Sequence, residues 1–266
     1  MTPKKAKALR GVRPNAGLEV AFRKRLLRLI DKMHASVMYW LTISYKASPP
    51  LATDELPARA LQRQLRRLSK RWLASFNDAA QRLTVAFAQA AEARSSGAFR
   101  AILREAGFAV DFKMTPAMRD VLAATVQASV GLIKSIPEQY LGQVEGIVMR
   151  GVQTGGDIGG IVKSLEHSFG VTRRRASLIA RDQNSKATAA FARVRQLEVG
   201  ITQAQWVHSG GGHTQRPTHV KAGRDKAVYD VAKGWWDPAV KKYVWPGTEI
   251  NCRCVARPII AGYAGQ

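Results

Sequence analysis

Apolar positions recur along the chain at two rhythms, and the change falls near residue 200. Over 18–46, Phe22, Leu26, Leu29 or Ile30, Met33 and Val37 fall three and four residues apart, which predicts a helix with one buried face. Pro49, Pro50 and Pro57 break that pattern. The clearest stripe lies over 58–94, where Leu61, Leu65, Leu68, Trp72, Phe76, Ala79, Leu83 and Phe87 share a face. "SSG" at 95–97 is expected to end this helix, with a short helix over 98–107 and an extended connection, "GFAVDFKMT". Thr115 as N-cap with Pro116 behind it predicts a helix to about Lys134. Ser135 and Pro137 predict another near 136–152.

"QTGGDIGG" is rich in glycine but lacks the Lys-[Ser/Thr] ending of a phosphate-binding loop. It reads as a turn into a short helix over 158–168, capped by Asp157 and closed by Gly170. Thr172 then caps a long helix whose packed face carries Ala176, Ile179, Ala180, Ala187, Ala190, Phe191, Val194 and Leu197, and Gly200 stops it. Beyond it, "ITQAQWVHS" and "VARPII" read as strands, with a Gly-rich turn and short aromatic segments between them. The fold class expected is a mainly α-helical N-terminal region followed by a small α+β C-terminal domain. The boundaries are a basic flexible arm over 1–17, a helical region over 18–200 and the α+β domain over 201–266.

Charge adds a partner to this picture. The 266 residues carry 42 Lys and Arg against 19 Asp and Glu, a net +23. Residues 1–75 alone hold 17 basic and 4 acidic side chains, so the N-terminal part is the better candidate for a phosphate-facing surface. The candidate DNA contacts are Lys4, Lys5 and Lys7 on the arm, Arg23 and Lys24 on the first helix, and Arg63, Arg66 and Arg67 on the second. A solvated basic face is the competing reading for either helix alone. The basic start lacks the apolar run of a secretory signal, and charges interrupt every apolar stretch short of a membrane-spanning length. A cytoplasmic origin and no membrane partner are therefore expected.

Residues from about 130 to 260 carry a series of motifs in order. A proline-started helix is followed by a short helix, a Gly-Val-Thr step and "RASLIAR". Then come "QWVHS" with Trp206, "RPTHVKAG" with Arg216, His219 and Gly223, and "WPGTEINCRC" with Pro246, Asn251, Cys252, Arg253 and Cys254. This combination resembles the phage Mu protein F-like head morphogenesis family of minor capsid proteins. The resemblance implies a protein of few copies inside the phage head near the portal vertex, after assembly in the host cytoplasm. Its implied partners are the portal protein, a major capsid or scaffolding protein, and double-stranded DNA. Its implied role is capsid assembly and DNA packaging or delivery, without catalysis. One departure is local: where family members often have an acidic residue before Arg-x-x-His, this chain has Thr214 and Gln215.

The two cysteines, Cys252 and Cys254, are the only ones in the chain. Four readings stay open for them. With His219, and His213 or His208 as a fourth ligand, they could hold zinc, although one intervening residue is tight for two ligands. A disulfide across two positions would be strained, and a cytoplasm is reducing. A cysteine nucleophile beside a histidine would require a base and oxyanion donors that the sequence does not place. Packing is the leading reading: two small buried sulfurs, Asn251 bonded to turn backbone, and Arg253 paired with Asp225, Asp230 or Asp237. Arg216 is expected to clamp a carbonyl in a fixed turn; the competing reading is phosphate or partner contact by Arg216, with His219 a ligand or switch. No cofactor is expected, with zinc the one candidate. The alternative function is a nuclease or toxin-like enzyme built on the C-terminal His/Cys cluster, and a third is a host-type basic nucleic-acid-binding protein.

Overall fold

The computed structural model describes residues 6–47, 57–154, 158–211 and 215–260. In chain order the elements are β1 (Lys7–Ala8), α1 (Ala16–Ala47), α2 (Pro57–Glu105), α3 (Pro116–Gln153), α4 (Ile158–Glu198), β2 (Gln203–Val207), α5 (Pro217–Arg224), β3 (Val228–Asp230), β4 (Trp235–Asp237), β5 (Lys242–Val244) and β6 (Val255–Ile260). Helices dominate the N-terminal part, and a small strand-rich region with one short helix follows.

Three of these helices are longer than their local sequence signals suggest. α2 runs through Ser95, Ser96 and Gly97. Both serines are buried there: Ser95 Oγ donates to the Thr188 carbonyl at 3.4 Å and Ser96 Oγ to Glu92 Oε1 at 2.6 Å. Tertiary partners thus satisfy hydroxyls that would otherwise compete with helical backbone. α3 runs through Pro137, which deletes one helical N–H. Ile133, Ile136, Pro137, Tyr140 and Leu141 are all buried around it, so packing outweighs the local defect. In α4, Thr172 is not a cap: its hydroxyl folds back onto the Ser168 carbonyl at 2.9 Å inside a continuous helix. Thr115 does cap α3, accepting the Met118 N–H at 3.2 Å. Gly200 ends α4 with φ +74°, and Ile201 N–H closes onto the Gln196 carbonyl at 2.9 Å. The proposed Asp157 cap lies outside the described residues.

The chain divides into two compact units, 1–19 with 86–125 and 181–266, and 20–85 with 126–180. The second unit is helical throughout. Phe22, Leu26, Ile30, Met33 and Val37 of α1 are buried there, as are Leu61, Leu65, Leu68 and Phe76 of α2. Buried His34 stacks on Phe169 at 3.9 Å, and its Nδ1 meets the Tyr140 hydroxyl at 2.6 Å. Burial, with Glu166 adding to it, pushes the Tyr140 phenol up from its ordinary value.

The first unit holds the strands. They form an antiparallel sheet in the order β1-β6-β2-β3, with β4 and β5 as a separate pair. The edge strand β1 lies within the stretch expected as a basic arm. Lys7 and Ala8 pair with Ile260 and Ile259, and Arg257 donates to the Leu9 carbonyl at 2.9 Å. Leu9 and Val12 are buried with Phe99, Ile102, Leu103 and Ile201. Gly11 is needed at this crossing, because a Cβ would sit 2.5 Å from the Ala256 carbonyl oxygen. The strand-bearing unit therefore extends beyond 201–266 and draws in residues from the start and middle of the chain. At its helical side Arg195 is buried, donating to Ser96 Oγ at 2.8 Å and to Lys113 O, Glu198 and Glu92 at 2.7 Å each.

Candidate functional site

β2, α5 and the "INCRC" segment converge on one buried cluster. β2 alternates, so Ala204 and Trp206 face inward. Behind it, "RPTHVKAG" forms α5 rather than the expected turn: Arg216 is extended, Pro217 opens the helix, and His219 and Ala222 are its buried residues. Gly223 lets α5 approach the end of β2, since a Cβ there would lie 2.8 Å from the His208 backbone nitrogen. The Trp206 indole stands edge-on to the His219 ring at 4.8 Å.

The C-terminal signature is held from several sides. Pro246 is buried, and Gly247 takes φ +86°. Asn251 sits in the left-handed region at φ 59°, its N–H donating to Asp182 Oδ1 of α4 at 2.7 Å. Arg216 donates to the Ile250 carbonyl at 3.0 Å. Residues 252–254 precede β6 and are not themselves strand, yet both sulfurs turn inward while Arg253 faces out. None of the carboxylates considered for Arg253 pairs with it among the described residues. Asp225 is held by Lys221 and Arg224, Asp230 accepts from Ala232 and Lys233, and Asp237 faces His219.

At the centre, His219 Nδ1 lies 3.5 Å from Cys252 Sγ and 4.0 Å from Cys254 Sγ. Its other nitrogen lies 3.2 Å from Asp237 Oδ2. Exposure is 2% for His219, 4% for Cys252, 6% for Cys254 and 0% for Asp237. Neither His219 Nε2 nor Asp237 Oδ2 completes a well-aimed hydrogen bond, although they are close enough for an ion pair. Both cysteines are free. The bond from Cys254 pulls the Cys252 thiol down to about 4, against burial and with help from His219. That same bond, then burial, pushes the Cys254 thiol up. Gly247 N–H also donates to Cys252 Sγ at 3.4 Å. A Cys-His-Asp relay of this kind is reminiscent of a nucleophile. The void beside Cys254 holds only about 30 Å³, room for a water and not for a substrate.

The candidate DNA contacts lie elsewhere. Lys4 and Lys5, like His213 and Thr214 of the Gly-rich loop, lie outside the described residues. Lys7 is exposed on β1, Lys24 is exposed and Arg23 half-buried on α1, and Arg63, Arg66 and Arg67 are exposed on α2. His208 is not at the cluster's centre; its Nδ1 accepts the Gly210 N–H at 3.1 Å. Sequence reasoning missed Asp237 as the partner of His219 and Asp182 as the anchor of Asn251. Both are non-local pairings for which the sequence carries no spacing signal.

By fold and site this is a helical protein ending in a small sheet around a buried Cys/His/Asp cluster. Residues 142–257 match the model of the family of phage Mu protein F like proteins. An uncharacterized protein of Haemophilus influenzae is 34% identical over 149 residues, 55% of this chain. The match spans 31% of that relative's length. No solved structure matches the chain.

Proposed function

We propose that the chain is a minor head protein of a phage, acting inside the capsid near the portal vertex in assembly and in DNA packaging or delivery. Its partners are then the portal protein, a major capsid or scaffolding protein, and duplex DNA held without sequence preference. Its place is the virion interior, reached from the host cytoplasm during assembly. No helix among the described residues is long and apolar enough to cross a membrane.

The observation that carries the DNA contact is the outer face of α2. Arg59, Arg63, Arg66, Arg67 and Lys70 fall at helical spacings of three and four and are all exposed. No acidic residue interrupts the sequence from Pro57 to Asn77. Like charges at such spacings disfavour an isolated helix by about 0.2–0.5 kcal/mol per pair, so stability does not account for the stripe. At about 1.5 Å per residue it is roughly 16 Å long, enough to follow several phosphates. On α1, Lys24, Arg28 and Lys32 repeat the pattern and are exposed.

A gel-shift titration of duplex DNA at increasing salt tests this. Binding that is indifferent to sequence and falls steeply with salt is expected; no affinity at low salt removes the DNA role. The alternative of a nuclease or toxin-like enzyme would require a substrate to reach Cys252 and His219, which are 4% and 2% exposed. Incubation with DNA, RNA and divalent metals checks it, and turnover abolished by His219→Ala would reverse the choice.

A further inference from the structure

We infer that Cys252, Cys254 and His219 bind a zinc ion as three of its four ligands, with Asp237 as the positioning residue that orients His219. Three observations meet at this point. The first is the donor set. Two sulfurs and an imidazole suit zinc, and the three candidate ligand atoms lie within 4.8 Å of one another.

The second is spacing. Zinc bonds of about 2.3 Å to sulfur and about 2.0–2.1 Å to nitrogen, at tetrahedral angles, separate sulfur from nitrogen by about 3.6 Å. The chain holds Nδ1 at 3.5 and 4.0 Å from the two sulfurs. The single residue between the cysteines is thus no obstacle: the turn before β6 brings both to one side. A Cys-x-Cys pair bonded in this way leaves Arg253 outside and exposed.

The third is the far side of the ring. Metal-bound histidines commonly give their other N–H to a carboxylate, which fixes the tautomer and the ring plane. Asp237 is fully buried with Oδ2 3.2 Å from His219 Nε2, while its Oδ1 accepts the Ala239 N–H at 2.9 Å. As these atoms stand, Nε2 and Oδ2 are both buried without a completed hydrogen bond. A buried carboxylate oxygen without a completed hydrogen bond is costly. Metal ligation through Nδ1 fixes the tautomer with the proton on Nε2, and orders the ring so that Nε2–H donates to Oδ2. On binding, the thiol protons leave to solvent and each sulfur ligates as thiolate. Packing alone explains buried sulfurs but not a buried carboxylate aimed at the ring from behind.

The ion would tie α5, β4 and the segment before β6 into one body, a staple in a region whose strands β3, β4 and β5 are three residues each. This inference stands on the cluster alone and does not depend on DNA binding or on a place in a phage head.

The test begins with full-length protein from zinc-supplemented cells. About one zinc per chain is expected, with X-ray absorption showing two sulfur neighbours at about 2.3 Å. Cobalt(II) in its place should give thiolate-to-metal charge-transfer absorption, lost in Cys252→Ser. Should that variant fail to fold, Asp237→Asn preserves shape and should weaken zinc affinity by about 10–100-fold in a chelator competition. Protein without zinc and without a cobalt charge-transfer band overturns the assignment. So does a bound zinc without sulfur neighbours, or an affinity that Asp237→Asn leaves unchanged.

Discussion

The cluster around His219 and the outer face of α2 are built in contrasting ways. In the cluster the polar groups have specific, non-repeated partners: buried His219 faces Asp237, half-buried Arg216 donates to Ile250 O, and Asn251 N–H donates to Asp182. Along α2 the charges are exposed and repeated, with Arg63, Arg66, Arg67 and Lys70 presenting the same chemistry at successive turns. The first arrangement makes each residue individually necessary for shape. The second spreads a task over many residues, so no single one matters much. The comparison breaks if substitutions in the two regions have similar effects on stability.

The largest effect is expected from Trp206→Ala. Trp206 is fully buried and packs on His219, Tyr229 at 6.2 Å and Trp235 at 5.2 Å. Removing such a side chain from a core costs about 3–5 kcal/mol. Denaturant unfolding followed by circular dichroism reads the loss, and a change under about 1 kcal/mol would show that the cluster is not packed around this indole. Gly223→Ala comes next. The new methyl would meet the His208 backbone rather than a movable side-chain tip. Overpacking of this kind costs about 1–3 kcal/mol. A variant as stable as the parent would mean that α5 does not rest on the end of β2.

The same contrast explains what could be read from the sequence. Helical stripes were legible because their period is local: Leu61, Leu65, Leu68 and Phe76 are buried as the spacing predicts. Helix ends were less so. Ser95–Gly97, Pro137 and Thr172 are credible local breaks, but buried partners elsewhere in the chain override them. β1 was missed because a two-residue strand has no period, and its pairing with β6 crosses some 250 residues. In the cluster, the residue types were visible as a motif series, and the zinc reading already named His219 with the two cysteines. Asp237 was visible only as a carboxylate with several conceivable partners. The Arg195 network was invisible for the same reason, since its four partners come from three separate stretches of chain.

The smallest effect on stability, and the sharpest test of the comparison, comes from replacing Arg66 and Arg67 together with alanine. Both are exposed, and exposed substitutions usually change stability by within about 0.5 kcal/mol. Removing two charges from a like-charged stripe should if anything help the helix by a few tenths of a kcal/mol (about 0.2–0.5 per pair relieved). Binding should respond differently. Each phosphate neutralised adds about 0.9 to the slope of log affinity against log salt, so the double variant should lose about 2 from that slope. The loss should be the same for unrelated DNA sequences, because phosphate contacts carry no base information. A slope identical to the parent's would take α2 out of the DNA-facing surface, and a fall in stability comparable to that of Gly223→Ala would mean that the stripe supports the fold instead of contacting a partner.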